Sequence, residues 1–204
     1  MNSTARAIKP IFHLLAGPNG AGKSTLYRAL VASGSISSQL EFVNADLYEQ
    51  SHLQNITDLQ KRSKAARDWA DSRREALLMS KNSFISETVF SHESKLALIT
   101  QAQAMGFNVV LYVVSLDDPQ RLLARVRQRV REGGHNVPAQ RILDRYPRTM
   151  ANLKKAVRLA DLTFIYDAVE VEHGAQLLVA LCEREHTQIL IILPPAWVAT
   201  LLQQ

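Results

Sequence analysis

Eight consecutive residues near the start of the chain have the types and spacing of a phosphate-binding loop. The run from Gly17 to Ser24 reads GPNGAGKS and fits the pattern G-x-x-x-x-G-K-[ST] at every position. In such a loop backbone N–H groups surround a phosphate, while the lysine reaches the β- and γ-phosphates and the hydroxyl ligates Mg²⁺. The sequence therefore predicts a site for a nucleoside triphosphate and Mg²⁺, with Lys23 and Ser24 as its reactive groups. The predicted binding residues are Gly17, Pro18, Asn19, Gly20, Ala21, Gly22, Lys23, Ser24 and Thr25.

The segments on both sides of this loop are those that must position it. Residues 11–16 form a short apolar run typical of a buried strand, and residues 25–31 have the pattern of a helix. A P-loop needs this order of strand, loop and helix. The alternative, a glycine turn that happens to precede a lysine, explains neither flank.

Two further predicted strands end in acidic residues that could act beside the loop. Asp46 ends the run 41–46, and Glu87 with Thr88 ends the run 82–88. In an open α/β sheet, functional groups lie at the carboxyl ends of the strands. Asp46 is therefore a candidate base for a substrate hydroxyl, although it could also cap a helix that begins at Leu47. Glu87 could hold Mg²⁺ through water or bind a substrate hydroxyl, and Thr88 could donate to a substrate carbonyl or phosphate.

The most continuous apolar run, residues 108–118, predicts a central parallel strand and also ends in acids, Asp117 and Asp118. Asp117 is an alternative metal-binding carboxylate of the Walker-B kind. The other interpretation is that Asp118, with Pro119 after it, opens the next helix, because acids are favoured at a helix start.

Residues 121–148 are unusually rich in arginine and are interpreted as a helical lid of two helices joined by a glycine hinge. Each arginine guanidinium group can bind two phosphate oxygens at once, and its positive charge offsets the negative charge that develops during phosphoryl transfer. His135 lies in the hinge, where it could bind substrate or stabilise the turn. The arginines are Arg121, Arg125, Arg127, Arg129, Arg131, Arg141, Arg145 and Arg148.

Other readings of the basic residues stay open. The arginine segment could be a solvent-exposed helix pair or an RNA-binding surface, but Tyr146 is its one aromatic residue, and poor base stacking argues against nucleic acid as a partner. A second basic helix, within residues 57–79, is interpreted as a solvated surface. Its basic residues are Lys61, Arg62, Lys64, Arg67, Arg73 and Arg74.

Length and composition favour one globular domain over residues 1–204. Hydrophobic residues make up 47% of the chain and charged residues 21%, which excludes wholesale disorder. The net charge of +5 suits either polyphosphates or nucleic acid. One cysteine, no long apolar run and no signal-peptide pattern predict a cytoplasmic protein without membrane contact, and the histidine spacing predicts no structural metal.

The order of elements predicts an α/β fold, a P-loop three-layer sandwich with a mostly parallel sheet. A fifth strand is predicted over 162–167. Residues 176–204 are expected to form an edge hairpin, with strands 176–182 and 188–193, followed by a short helix.

Taken in order, these motifs resemble the zeta toxin family of P-loop kinases across roughly residues 11–167. The glycine pair and Val-Pro of the hinge make the match far more specific than the P-loop alone. The matching segments are AGPNGAGKST (16–25), FVNAD (42–46), SET (86–88), RV (125–126 and 129–130), GGHNVP (133–138), RY (145–146) and NL (152–153).

The resemblance implies ATP and Mg²⁺ as cosubstrates and a nucleotide-sugar acceptor such as UDP-N-acetylglucosamine, phosphorylated at a 3′-hydroxyl. Asp46 is then the base, Lys23 and the lid residues Arg129 and Arg145 stabilise the transferring phosphoryl group, and Arg125 binds the nucleotide. Glu87, Thr88 and His135 are then acceptor contacts. A small antitoxin protein is the implied partner.

Two other functions remain open from the sequence. One is a kinase for a nucleoside, sugar or other metabolite without toxicity. The other is a nucleotide-dependent switch or RNA-associated protein without phosphoryl transfer, although neither Asp-x-x-Gly nor Asn-Lys-x-Asp, the marks of a GTPase, occurs in the chain.

Overall fold

The computed structural model describes residues 9–132, 137–168, 176–184 and 186–203. The strands are β1 (Ile11–Ala16), β2 (Glu41–Val43), β3 (Phe84–Thr88), β4 (Asn108–Ser115), β5 (Leu162–Asp167), β6 (Leu177–Glu183) and β7 (His186–Ile189). The helices are α1 (Lys23–Ala32), α2 (Ala45–His52), α3 (Leu59–Met79), α4 (Ser94–Ala104), α5 (Pro119–Arg131), α6 (Ala139–Leu159) and α7 (Ala196–Leu202).

The described strands form one seven-stranded sheet in the order β2-β3-β1-β4-β5-β6-β7. Strands β1 to β5 pair in parallel, and β6 and β7 are antiparallel additions at one edge. The predicted mostly parallel α/β sheet is therefore confirmed. The P-loop strand β1 lies between β3 and β4, so the carboxyl ends of these strands flank the loop directly.

Two apolar cores, one on each face of the sheet, give the predicted three layers. Helices α3, α4, α6 and α7 pack on one face, where Leu111 and Val113 of β4 are fully buried. Helices α1 and α5 pack on the other face, where Val114 is fully buried. Because β4 is covered on both faces, its sequence is a continuous apolar run.

Several predicted boundaries are wrong, each for a local reason. Strand β2 ends at Val43 because Asn44 caps α2, with its side chain accepting the Leu47 N–H. The predicted second lid helix, which carries Arg141, Arg145 and Arg148, has no boundary at the end of the arginine segment. It is the first part of the 21-residue α6, which continues through Pro147.

The last predicted strand, 188–193, is also misplaced, because β7 spans His186–Ile189. Leu190 still donates to the Val179 carbonyl of β6 at 3.0 Å, but Ile192 and Leu193 are 97% and 85% exposed. Pro194 and Pro195 follow and have no N–H to extend a ladder. Within the described segments, no helix is long and apolar enough to cross a bilayer.

Candidate active site

The phosphate-binding loop between β1 and α1 touches neighbouring backbone so closely that only glycine fits. A Cβ on Gly17 would lie 2.0 Å from the Val114 carbonyl oxygen, and one on Gly20 would lie 2.5 Å from that of Leu122. Gly20 also has a φ of +82°, which side chains rarely adopt. These contacts hold the loop against β4 and α5 and fix its curvature.

The loop continues into α1 through Gly22, the N-cap residue, which has left-handed backbone angles and makes no side-chain cap. The Gly22 carbonyl accepts the Leu26 N–H at 2.9 Å, closing the first helical turn. It also accepts a hydrogen bond from the side-chain amide of Gln176, at 3.0 Å, just before β6. The start of α1 is thus fixed from the far end of the chain.

A compact polar cluster joins the P-loop to the end of β3. Glu87 Oε2 accepts hydrogen bonds from Ser24 Oγ at 3.0 Å and from Asn44 Nδ2 at 2.9 Å. Lys23 Nζ lies 3.6 Å from Glu87 Oε1 and donates to the Pro18 carbonyl at 3.2 Å. The Lys23 and Glu87 side chains are only 6% and 12% exposed. The two reactive groups of the loop therefore share one carboxylate, which Asn44 holds in place.

This cluster fits the nucleotide and Mg²⁺ that the sequence predicts. Mg²⁺ prefers oxygen ligands and usually keeps several waters. Ser24 offers a hydroxyl oxygen, and the Glu87 carboxylate lies within hydrogen-bond distance of it, so either a direct or a water-mediated contact is within reach. Among the described residues, no group of three or more His, Cys, Asp or Glu side chains has the arrangement of a metal site.

Asp46 lies in the first turn of α2, half-buried, at the same edge of the sheet as Glu87. The alternative interpretation of Asp46 as a helix cap is wrong, because Asn44 is the capping residue. The carboxylate is close enough to the guanidinium of Arg145 to affect its pKa. Asp46 therefore lies near Arg145 of helix α6.

Arg145 lies among other positive groups. Burial lowers its pKa, as do the neighbouring charges of Arg141, Arg67 and Arg148, whereas Asp46 opposes the shift. An arginine stays charged under such conditions, so Arg141, Arg67 and Arg148 add their positive charges to that of Arg145. This concentration of positive charge around Arg145 is suited to an anionic ligand.

The other lid arginines lie on α5. Arg121, Arg125 and Arg129 are all half-buried on this helix, whose Val126 borders Gly20 of the P-loop. Arg125 Nη2 donates to the Ala168 carbonyl at 2.5 Å, which ties the helix to the end of β5. His135 and the glycines of the hinge lie outside the described residues.

Arg74, predicted to be on a solvated surface, is instead buried, with 5% exposure. Its Nη1 donates to Ser86 Oγ at 3.1 Å, and Ser86 Oγ donates to the Val43 carbonyl at 3.1 Å. Ser86 directly precedes Glu87. This chain of hydrogen bonds therefore holds the functional ends of β2 and β3 at a fixed separation.

Asp117 does not join the cluster at the P-loop. Its Oδ1 accepts the backbone N–H of Trp197 at 2.8 Å, at the start of α7. Asp118 accepts the Gln120 N–H at 2.8 Å and is the N-cap of α5, with Pro119 next. The helix-opening interpretation is confirmed for Asp118, and Glu87 is the carboxylate that contacts Lys23 and Ser24.

Sequence reasoning missed Asn44 and Arg67. The signal for Asn44 was available, because an asparagine just before a helix is a preferred cap. No comparable signal marks Arg67. Helical spacing places it on an exposed face but does not reveal that α6 lies opposite.

The sheet order, the glycine loop and the Lys23, Ser24 and Glu87 cluster together define a P-loop protein of the kinase fold. The chain belongs to the zeta toxin family, whose sequence profile matches residues 1–178. No curated protein matches it in sequence.

Solved structures share the fold at low identity. A chain of the AvrRxo1-ORF1:AvrRxo1-ORF2 complex with sulphate ions has a TM-score of 0.68 and 18% identity, covering 90% of this chain and 62% of that one. The same complex with ATP has a TM-score of 0.60 and 17% identity, covering 90% and 61%. A structure of the PezAT toxin-antitoxin system of Streptococcus pneumoniae has a TM-score of 0.61 and 15% identity, covering 84% and 72%. The chain thus spans less than two thirds of the length of the AvrRxo1 chains.

Proposed function

We propose that this protein is an ATP-dependent kinase that transfers the γ-phosphoryl group to a hydroxyl of a nucleotide sugar such as UDP-N-acetylglucosamine. Membership of the zeta toxin family supports phosphoryl transfer, and the similar complex that contains ATP supports ATP as the donor. The observation that carries the proposal is the shared carboxylate of Glu87, which joins Lys23 and Ser24 to the edge where Asp46 lies.

On the donor side, the loop N–H groups and Lys23 bind the β- and γ-phosphates of ATP. Mg²⁺, held by Ser24 with Glu87 beside it, would neutralise charge on the phosphate oxygens. Lys23 contacts the Pro18 carbonyl and Glu87. Its ammonium group can exchange these contacts for phosphate oxygens without leaving the cluster.

On the acceptor side, Asp46 accepts the proton of the acceptor hydroxyl as its oxygen bonds to the γ-phosphorus. The bond from that phosphorus to the bridging oxygen breaks, and ADP leaves. Arg145, which lies near Asp46, and Arg129 offset the negative charge of the transferring group. Arg125 assists on the nucleotide side.

The proposed acceptor is supported by the charge near Asp46. Arg67, Arg141 and Arg148 add positive charge around Arg145, which favours an acceptor that carries phosphates of its own. Glu87, Thr88 and His135 are the proposed acceptor contacts. A metabolite kinase without toxicity would use the same donor chemistry.

We also propose a small inhibitory protein as partner, because the similar PezAT structure is of a toxin-antitoxin system. We propose the cytoplasm as the location of the reaction, since the proposed substrates are ATP and nucleotide sugars.

The direct test is incubation with ATP, Mg²⁺ and a panel of nucleotide sugars, nucleosides and free sugars, with mass spectrometry of every acceptor. One added phosphate on a nucleotide sugar is the expected result, and Lys23→Ala is the matched control that should abolish it. Phosphate on a free metabolite alone would favour the metabolite kinase. No product with any acceptor, together with salt-dependent RNA binding, would overturn the proposal.

A further inference from the structure

The chain adopts an unfavourable backbone conformation directly after the functional end of β3. Phe90 has a φ of +65°, in the left-handed region that bulky side chains avoid. Its side chain is 1% exposed and belongs to the core under the sheet. Such outliers persist only where surrounding contacts impose them.

The contact that holds this turn comes from α6. Asn152 Nδ2 donates to the Phe90 carbonyl oxygen at 3.0 Å, across 62 residues of sequence. Asn152 is itself buried, with 5% exposure. A buried side-chain amide that satisfies one buried carbonyl fixes the direction of that peptide group.

The backbone turn at Phe90 also orients Thr88. The Phe90 N–H points to Thr88 Oγ1 at 3.4 Å, so the hydroxyl oxygen acts as acceptor inside the protein. Its own O–H has no acceptor among the described residues and can donate to a ligand. The backbone of Phe90 therefore decides where the Thr88 hydroxyl is presented, one residue after Glu87.

Helix α6 contributes to both sides of the site. Arg145 precedes Asn152 by two helical turns, and residues at this spacing share a helix face. One end of that face lies near Asp46, and the other holds the turn that carries Thr88.

We infer that Asn152 is a positioning residue, which keeps the Thr88–Phe90 turn of β3 aligned with Arg145 so that the acceptor hydroxyl meets both. This inference rests on the proposed function for the role of Thr88. The geometric part, that Asn152 holds the turn, does not depend on it.

The kinetic test uses Asn152→Ala, with Thr149→Val as matched control. Thr149 lies one turn earlier on the same helix, is fully buried, and its hydroxyl has no hydrogen-bond partner among the described residues. With the acceptor found in the panel, Asn152→Ala should lower acceptor kcat/KM by about 10- to 100-fold and leave ATP KM within about twofold. Thr149→Val should resemble the wild type. Equal losses in the two variants, or equal effects on ATP and acceptor, would overturn the inference.

Asn152→Asp separates positioning from general packing, because its shape is nearly unchanged. The ionised carboxylate repels the Phe90 carbonyl, whereas the protonated acid can donate to it as the amide does. Burial raises the pKa of a carboxyl, so activity relative to wild type should recover as pH falls from 8 to 6. A flat ratio that stays low would contradict a donor role for residue 152.

Hydrogen–deuterium exchange tests the geometric part without any substrate. Asn152→Ala should speed exchange in peptides covering 88–92, leave the P-loop peptides unchanged, and differ from Thr149→Val. Unchanged exchange at 88–92 would overturn the inference. A wild type that phosphorylates nothing in the panel would refute the proposed function, while the exchange result would still decide whether Asn152 holds the turn.

Discussion

The ends of β3 and β4 flank the same P-loop strand, and an acid follows or ends each of them, yet the two acids have different surroundings. Glu87 at the end of β3 contacts Lys23, Ser24 and Asn44 and is largely buried. Asp117 after β4 is exposed and receives the Trp197 N–H of the terminal helix α7. One acid is available to phosphate chemistry, and the other fixes a helix.

The difference arises from what covers each strand end. The sheet order places β3 between β1 and β2, so Glu87 meets the P-loop on one side and the start of α2 on the other. Helix α7 lies over the end of β4 and β5, where Trp197 Nε1 also donates to Asp167 at 3.0 Å. Whether an acid at a strand end can take part in catalysis therefore depends on which helix packs over that strand end.

The largest loss of phosphoryl transfer is expected at Asp46, in the first turn of α2 and at the same edge of the sheet as the end of β3. Asp46→Asn keeps the size of the side chain and removes its ability to accept a proton, so transfer should fall by about 10²- to 10⁴-fold. ATP binding, measured by calorimetry, should persist because the P-loop is untouched. Near-normal phosphorylation by this variant would remove Asp46 from the mechanism.

A substitution near the ends of β4 and β5 should lower the stability of the fold but leave the rate of phosphoryl transfer per folded molecule unchanged. Trp197→Phe deletes the indole N–H and leaves the buried carboxylate of Asp167 without that donor, which should cost about 1–3 kcal/mol of unfolding free energy. Urea denaturation measures this. Trp69→Phe is the control, since the Trp69 ring stacks on Tyr48 and its loss removes no buried partner of a carboxylate. A lower kcat in fully folded Trp197→Phe would contradict the purely structural role of the β4 and β5 ends.

A smaller effect, on the pH dependence of stability, is expected at His13, which lies away from both strand ends. Burial lowers the pKa of His13 in β1 to about 4, and its Nδ1 lies 3.1 Å from the Tyr112 hydroxyl. Because the unfolded histidine has the higher pKa, the unfolded state binds more protons between pH 6.5 and 4, and stability falls as pH drops through that range.

The slope from this one group is at most about 1.4 kcal/mol per pH unit. His13→Gln should flatten the dependence of unfolding free energy on pH in this window, whereas His92→Gln, at an exposed position, should not. Identical slopes in all three proteins would show that His13 is not buried in its neutral form.

The sequence predicted those parts that local patterns determine. The P-loop, the apolar strands and the acids near their ends follow from short runs of residues, and the alternation of strands and helices predicts the parallel sheet. The role of Glu87 beside Lys23 and Ser24 depends on β3 lying next to β1, which periodicity does not encode.

The parts that could not be predicted are contacts between distant segments. Arg67 lies near enough to Arg145 of α6 to lower its pKa, Arg74 is buried beside β2 and β3, and Asn152 donates to Phe90 across 62 residues. An amphipathic helix tells which residues face inward but not which segment they meet. Alignment of relatives would supply such pairs, whereas a single sequence does not.

The most direct test of the central claim compares Glu87→Gln with Asp117→Asn in the Mg²⁺ dependence of ADP formation. If Glu87 is the carboxylate that serves the phosphate site, Glu87→Gln should raise the Mg²⁺ concentration for half-maximal rate by about 10- to 100-fold, while Asp117→Asn stays within about twofold of wild type. Equal shifts in the two variants, or a larger shift in Asp117→Asn, would contradict the account.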